Sequence, residues 1–364
     1  MKMKKIKMIA VGLAHPHVTI LLSSFELCQN DFELVGFADV PNGDPSTKES
    51  RTAWIKEHFP GAVEMADWKQ LIELKPDLVL VNSDNGSRYG ICSYYLEQGV
   101  HVMDEKPMTP SFDEAYALCK LAKEKGVQML TNWPVAWFPA YRKAKELLEK
   151  GAVGKLMRIT YRSPATWGPF SYSKDGQNPP DEVLSKSWWY HKDQGGGSIN
   201  DYACYGAALS TFMFGKRADK VAGMCKNFLV PFSDVEDYSA MMLDFGDGIG
   251  LLEGSWSTYN PGAVPTGPVL YGTEGTITCD RRWGYLLLHK GRSHGMVEAT
   301  ERIELEKDLQ KEKLAPHVAD VIRGNTEPDI MLSSEFNLSV VAALDAGRQS
   351  AEKEVFVKVN QKTI

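Results

Sequence analysis

The sequence predicts an α/β chain: a doubly wound parallel sheet comes first, followed by an α+β part with a large, mostly antiparallel open sheet. Three observations carry this reading. From the start to about Asn132, short and wholly apolar runs alternate with amphipathic helical stretches, the pattern of strands buried on both faces by helices. Beyond a linking helix the pattern changes to longer period-two segments separated by Gly, Asp and Asn turns. The 364 residues also exceed what one hydrophobic core ordinarily serves.

In the first part, apolar runs place strands at 5–11, 33–39, 77–81, 100–104 and 127–131. Helices fall between them, including 87–98 closed by Gly99 and 111–125 closed by Gly126, since glycine accepts the left-handed conformation that ends a helix. The linking helix covers 140–150. Alternating segments follow at 155–162, 220–229, 238–245, 249–257 and 267–280, the last broken by the turn Gly272-Thr273-Glu274-Gly275. One helix, 200–214, interrupts them and stops at Gly215. A final helix at 334–353 precedes the strand-like Val355-Phe356-Val357-Lys358-Val359. The division expected is 1–132 for the parallel sheet, 133–333 for the α+β part, and 334–364 for a helix and strand completing it.

A formal net charge of -6 with dispersed Lys and Arg offers no basic footprint for nucleic acid and no polybasic membrane patch. No apolar stretch reaches the length of a membrane span, and the basic start runs into a strand rather than a secretory leader. The six cysteines are scattered and form no C-x-x-C pair, which suits a reduced, cytoplasmic setting. The remaining expectation is a small-molecule ligand.

A doubly wound sheet binds its ligand beyond the carboxyl ends of its strands. There stands Gly12-Leu13-Ala14-His15-Pro16-His17, in the place of the G-x-G-x-x-G turn of a Rossmann dinucleotide site, with only the first glycine kept and Ala14 and His17 in the other two positions. Asp39, closing the second strand, is placed to accept ribose hydroxyls and to repel the extra phosphate of NADP, which favours NAD. His15 and His17 suggest a metal pair, but no third ligand stands at useful spacing, so no metal is expected. Glu105-Lys106-Pro107 follows the 100–104 strand and sets an ammonium at the crest of the sheet. Further on, Gly195-Gly196-Gly197 leads into the 200–214 helix, whose Asp201 and Tyr205 share one face by their spacing of four. In isolation each feature also reads blandly: a surface ion pair, a dipole partner in a first helical turn, a core tyrosine.

Taken together they resemble the glucose-fructose oxidoreductase, inositol dehydrogenase and MocA family over nearly the whole chain. The resemblance rests on the glycine turn, the acidic end of the second strand, Ser83-Asp84-Asn85 where Thr-Pro-Asn is usual, Leu96-Glu97-Gln98-Gly99-Val100-His101-Val102 running into Glu105-Lys106-Pro107, the triple glycine with its Asp-x-x-x-Tyr helix, and Tyr271-Gly272-Thr273-Glu274-Gly275-Thr276. It implies an NAD-dependent oxidoreductase acting on a sugar, polyol or related small molecule. Lys106 and Tyr205 would work at the nicotinamide and the substrate hydroxyl, and Asp201 would contact substrate or orient the pair. The dinucleotide would lie along Gly12, Ala14, His15, His17, Asp39, Ser83, Asp84, Asn85, Arg88, Glu105 and Lys106. The Lys-Pro bond is often cis in the family, and a homodimer or homotetramer is implied. Arg88 stands where a His is usual. Tyr205 would need a neighbouring cation, Lys106, to reach its phenolate form.

Among the aromatic residues near the expected cleft, Trp133 and Trp167 are the candidates for the apolar face of a sugar ring. Two other functions occur within the family: an NAD-dependent glycosidase that oxidises its substrate transiently, and a sugar or dinucleotide sensor without catalysis. The intact Lys106 and Tyr205 favour the dehydrogenase.

Overall fold

The computed structural model describes residues 4–41, 45–164, 180–258, 261–280, 283–292, 295 and 298–364. Its first sheet comprises β1 (Ile6–Val11), β2 (Phe32–Ala38), β3 (Val63–Glu64), β4 (Leu78–Val81), β5 (His101–Glu105) and β6 (Met129–Asn132). All pair in parallel, in the order β3-β2-β1-β4-β5-β6. Reversal of order beside β1 opens a crevice at the carboxyl ends of β1 and β4, where such sheets bind ligands. The central strands are apolar and fully buried because α1 (Val18–Glu26), α2 (Pro45–His58), α3 (Asn85–Glu97) and α4 (Phe112–Lys125) supply the covering layers.

After α5 (Pro139–Glu149) the chain builds the second sheet from β7 (Leu156–Pro164), β8 (Lys220–Lys226), β9 (Tyr238–Asp244), β10 (Ile249–Ser255), β11 (Val269–Gly272), β12 (Gly275–Cys279), β13 (Tyr285–Lys290), β14 (Glu301–Glu304) and β15 (Val357–Lys358). Its order is β14-β13-β12-β11-β7-β10-β9-β8-β15, antiparallel except where β10 runs parallel to β7. Four further helices follow α5 along the chain: the short α6 (Asp181–Leu184), then α7 (Cys204–Phe214), α8 (Gln310–Ile322) and α9 (Ser334–Lys353). α7 lies on β7 and β10, α8 packs on α1, and α9 rests on α4 of the first layer as well as on α7 and β8 of the second.

The expected elements recur within a few residues of their reading. The additions are β3, β13, β14, α6 and α8. β13 is a nearly continuous apolar run, Tyr285-Leu286-Leu287-Leu288, without the alternation that marks a half-exposed strand. α8 carries Pro316 in its interior, a residue that argues against a helix in a bare sequence.

Candidate functional site

The site is built at the crest of the parallel sheet. Gly12 ends β1 with φ +84, and a Cβ there would lie 2.6 Å from the Ser83 amide nitrogen, so only glycine fits the turn. The Leu13 amide donates to Asp39 Oδ1 at 2.9 Å, and Lys48 Nζ stands 3.8 Å from Asp39 Oδ2. Arg51 of α2 donates to the Leu13 carbonyl. Nearby, the side-chain amide of Asn82 and the Oδ1 of Asn85 are buried without a hydrogen-bond partner among the described residues. Buried polar atoms ordinarily have partners, so these two asparagines keep unmet hydrogen-bonding capacity beside the turn. Gly12, Asp39 and the two asparagines thus fit a dinucleotide.

Across the next stretch the arrangement differs from an open glycine turn. Ala14 is buried in an apolar cluster with Trp188, Trp189, Tyr190 and Trp256. Trp188 and Trp189 stack with ring centres 3.8 Å apart, and the His15 ring lies 5.5 Å from Trp189. Burial, and secondarily His17, Lys106 and Arg88, hold the His15 imidazole well below its usual pKa. His17, at the N-cap of α1, reaches back to Glu105 with its Nδ1 3.0 Å from Oε2, and Asn132 Nδ2 donates to the other Glu105 oxygen at 2.5 Å. The expectation that His15 and His17 lack a third group is therefore corrected: the ligand atoms of His15, His17 and Glu105 all lie within 4.8 Å of one another. Glu105 is 88 residues from His17, a separation at which spacing carries no signal.

Other expected dinucleotide contacts turn inward. Arg88 has 0% exposure and donates to the carbonyls of Glu105, at 2.6 Å, of Pro107, and of Ser83, at 3.2 Å. With its charged head engaged by backbone oxygens, Arg88 braces the loop after β5, which corrects its reading as a dinucleotide contact. Asp84 caps α3 through the Ser87 amide at 2.8 Å, and burial raises its carboxyl above the ordinary range. Ser83 Oγ donates to the Asp84 carbonyl at 2.9 Å, and Asn85 Nδ2 to the Gly195 carbonyl at 2.8 Å.

The Lys106–Pro107 bond is cis, and Lys106 leaves β5 toward the second layer. Its ammonium, 2% exposed as a residue, donates to the Asp201 carbonyl at 2.7 Å and to Asp201 Oδ1 at 3.3 Å, and it lies 4.7 Å from the Tyr205 ring centre. Burial alone would lower the lysine pKa; Cys204, Asp201 and Glu105 together outweigh it and raise it above the usual value. The remaining oxygen of Asp201 accepts from Trp256 Nε1 at 2.9 Å, a partner that the sequence did not signal. Asp201 occupies a π-helical turn, Ile199–Ala203, at the head of α7. The triple glycine permits this approach, since a Cβ on Gly196 would lie 2.1 Å from the Trp189 carbonyl oxygen.

Tyr205 departs from expectation. Lys106 sits over its ring face, and burial, with Cys204, Asp201 and Glu105, pushes the phenol well above its usual pKa. The phenol is thus held neutral rather than as a phenolate. Trp133 is corrected as well: it has 0% exposure, packs edge-on to Tyr205 with ring centres 5.7 Å apart, and donates from Nε1 to Asn337 Oδ1 at 2.7 Å, so it backs the site without lining it. Trp167 lies outside the described residues. A cavity of about 220 Å³ remains, lined by His15, His17, Trp189, Asp201, Tyr202 and Tyr205 among others.

Two models of one family cover most of the chain: "Oxidoreductase family, NAD-binding Rossmann fold" over residues 22–132 and "GFO/IDH/MocA C-terminal domain" over residues 141–278. The chain belongs to the Gfo/Idh/MocA oxidoreductases. It is an NAD(P)-dependent dehydrogenase or reductase acting on CH-OH groups, with a nicotinamide dinucleotide as cofactor. It is similar to dTDP-3,4-didehydro-2,6-dideoxy-alpha-D-glucose 3-reductase of Streptomyces violaceoruber, 26% identical over 257 residues, which are 69% of each chain. It is also similar to scyllo-inositol 2-dehydrogenase (NAD(+)) of Bacillus subtilis (strain 168), 24% identical over 293 residues and 78% of each. A levoglucosan dehydrogenase solved with NADH and levoglucosan shares the Gfo/Idh/MocA fold at a TM-score of 0.80 and 18% identity, with 98% of this chain and 100% of that one covered. No helix among the described residues is long and apolar enough to cross a membrane.

Proposed function

We propose that this family member transfers a hydride between NAD and a hydroxyl- or carbonyl-bearing carbon of a sugar, polyol or related small molecule, in the cavity bounded by Asp201, Tyr202 and Tyr205. The observation that carries the reading is the buried Lys106 ammonium, fixed by Asp201 beside the Tyr205 ring at the carboxyl end of β5. When bound, the nicotinamide supplies the hydride acceptor or donor. Gly12 and Asp39 hold its adenosine side, and the Asp39 carboxylate repels a 2′-phosphate, which selects NAD over NADP.

Lys106 is charged and stabilises negative charge developing on the substrate oxygen, where a fixed ion in a dry site acts most strongly. Tyr205, a neutral phenol, donates its proton to that oxygen when a carbonyl is reduced. Asp201 orients Lys106, and Trp256 holds Asp201. The Asp201 and Tyr205 polar groups and the Trp189 and Tyr202 rings that line the cavity suit the hydroxyls and the apolar face of a sugar or polyol ring.

The test is a screen of sugars, inositols and sugar acids with NAD and NADP, followed by the appearance or loss of reduced nicotinamide. Turnover with NAD on at least one such substrate is expected. Inertness toward the entire set overturns the substrate class, and binding of NADP at least as tightly as NAD in a fluorescence titration overturns the role of Asp39.

A further inference from the structure

We propose that His15, His17 and Glu105 form a site for one divalent transition metal of the zinc type. Two imidazoles and one carboxylate are a donor set that holds zinc while leaving positions open for an exogenous oxygen. The three ligand atoms already stand within 4.8 Å of one another, and His17 Nδ1 and Glu105 Oε2 within 3.0 Å. A tetrahedral ion with bonds of about 2.1 Å keeps its donors roughly 3.4 Å apart, so small side-chain rotations complete the set.

Independent features point the same way. His15 Nε2 is buried without a partner among the described residues, although the backbone amides of Gly12, Leu13, His15 and His17 around it are all engaged. The Glu105 carboxylate is fully buried, and among the described residues no Lys or Arg comes within 4.0 Å of it; the adjacent Lys106 turns to Asp201 instead. Asn132 fixes its second oxygen, as outer partners of metal-bound carboxylates do. Pro16 fixes the backbone between the two histidines, whose ring centres are 4.5 Å apart. Loading His15 through Nε2 places its ring proton on Nδ1, at the cost of the long 3.2 Å contact that Nδ1 accepts from the His17 amide. The ion's charge is then met by Glu105, while that of Lys106 is met by Asp201. Because His15 and His17 line the cavity shared with Asp201 and Tyr205, the open positions adjoin that cavity and suit a hydroxyl or carbonyl oxygen.

The experiment uses the full chain, stripped with a chelator and titrated with Co2+ and with Zn2+ in the absence of dinucleotide, so its result does not depend on the proposed redox reaction. One equivalent of metal per chain is expected, with the visible absorption of four- or five-coordinate cobalt. His15→Ala and His17→Ala each weaken binding by tenfold or more, whereas His289→Ala, at a histidine of the second sheet, leaves it unchanged. Circular dichroism establishes that each variant is folded, and His17→Gln provides a conservative second variant. Retention of no metal by the wild-type chain, or equal retention by folded His15 and His17 variants, overturns the proposal.

Discussion

A lysine ammonium with almost no access to water keeps its charge at the end of β5 because Asp201 supplies both a carbonyl and a carboxylate oxygen, and because Trp256 holds that carboxylate in place. Removing the charge while keeping a similar volume therefore isolates its role. Lys106→Met is expected to leave dinucleotide affinity nearly unchanged and to lower turnover by about 10² to 10⁴. Tyr205→Phe removes only the hydroxyl; with the ring still packed on Trp133, the thermal midpoint is expected to hold while single-turnover reduction slows. Since burial pushes the Tyr205 phenol up and its surroundings raise Lys106, both groups stay protonated through neutral pH. The wild-type rate of carbonyl reduction should then lose this donor only in the alkaline range, as either group gives up its proton. A lowered midpoint with an unchanged rate in Tyr205→Phe would make the tyrosine a packing residue.

Among the elements, the loop from β5 into α4 depends on α3 through one side chain. Arg88 donates to the buried carbonyls of Glu105 and Pro107 in this crossing and to that of Ser83 just before α3, and the neighbouring Asp104 is a buried carboxyl that burial raises and Arg88 lowers. Arg88→Leu is expected to cost about 3 kcal/mol, lowering the thermal midpoint by several degrees and weakening turnover by displacing Lys106. A midpoint within one degree of wild type would remove the bracing role. The same loop shows how far the sequence could be read. Strand-helix alternation revealed the sheet and the crest, and the Glu105-Lys106-Pro107 motif and Asp201 marked two segments that the structure brings into contact, because periodicity and local motif are written in neighbouring residues. The pairings of Glu105 with His17, of Arg88 with backbone carbonyls and of Asp201 with Trp256 join distant segments, and no spacing encodes them. Trp133 was misread for a related reason: its position after β6 places it near the cleft but does not state which way the ring points.

At the scale of the molecule, α9 is the element that both layers share. It packs on α4 and on β8, and Arg348 on it donates at once to the Pro110 carbonyl beside α4, at 2.8 Å, and to Asn200 Oδ1 at the head of α7, at 2.9 Å. Asn337 on the same helix accepts from Trp133, while Asn85 to Gly195 and Lys106 to Asp201 cross between the layers elsewhere. The two sheets are thus fastened at several separated points, and a hinge between them would have to break them together. Small-angle scattering should show the same radius of gyration with and without saturating NADH; contraction on binding would contradict this. The consequence is a slot of fixed gap rather than a pair of jaws. Over Ala14 and His15 that slot is walled by the stacked and buried indoles of Trp188 and Trp189, so their emission is expected to report an arriving ligand while the wall itself stays in place.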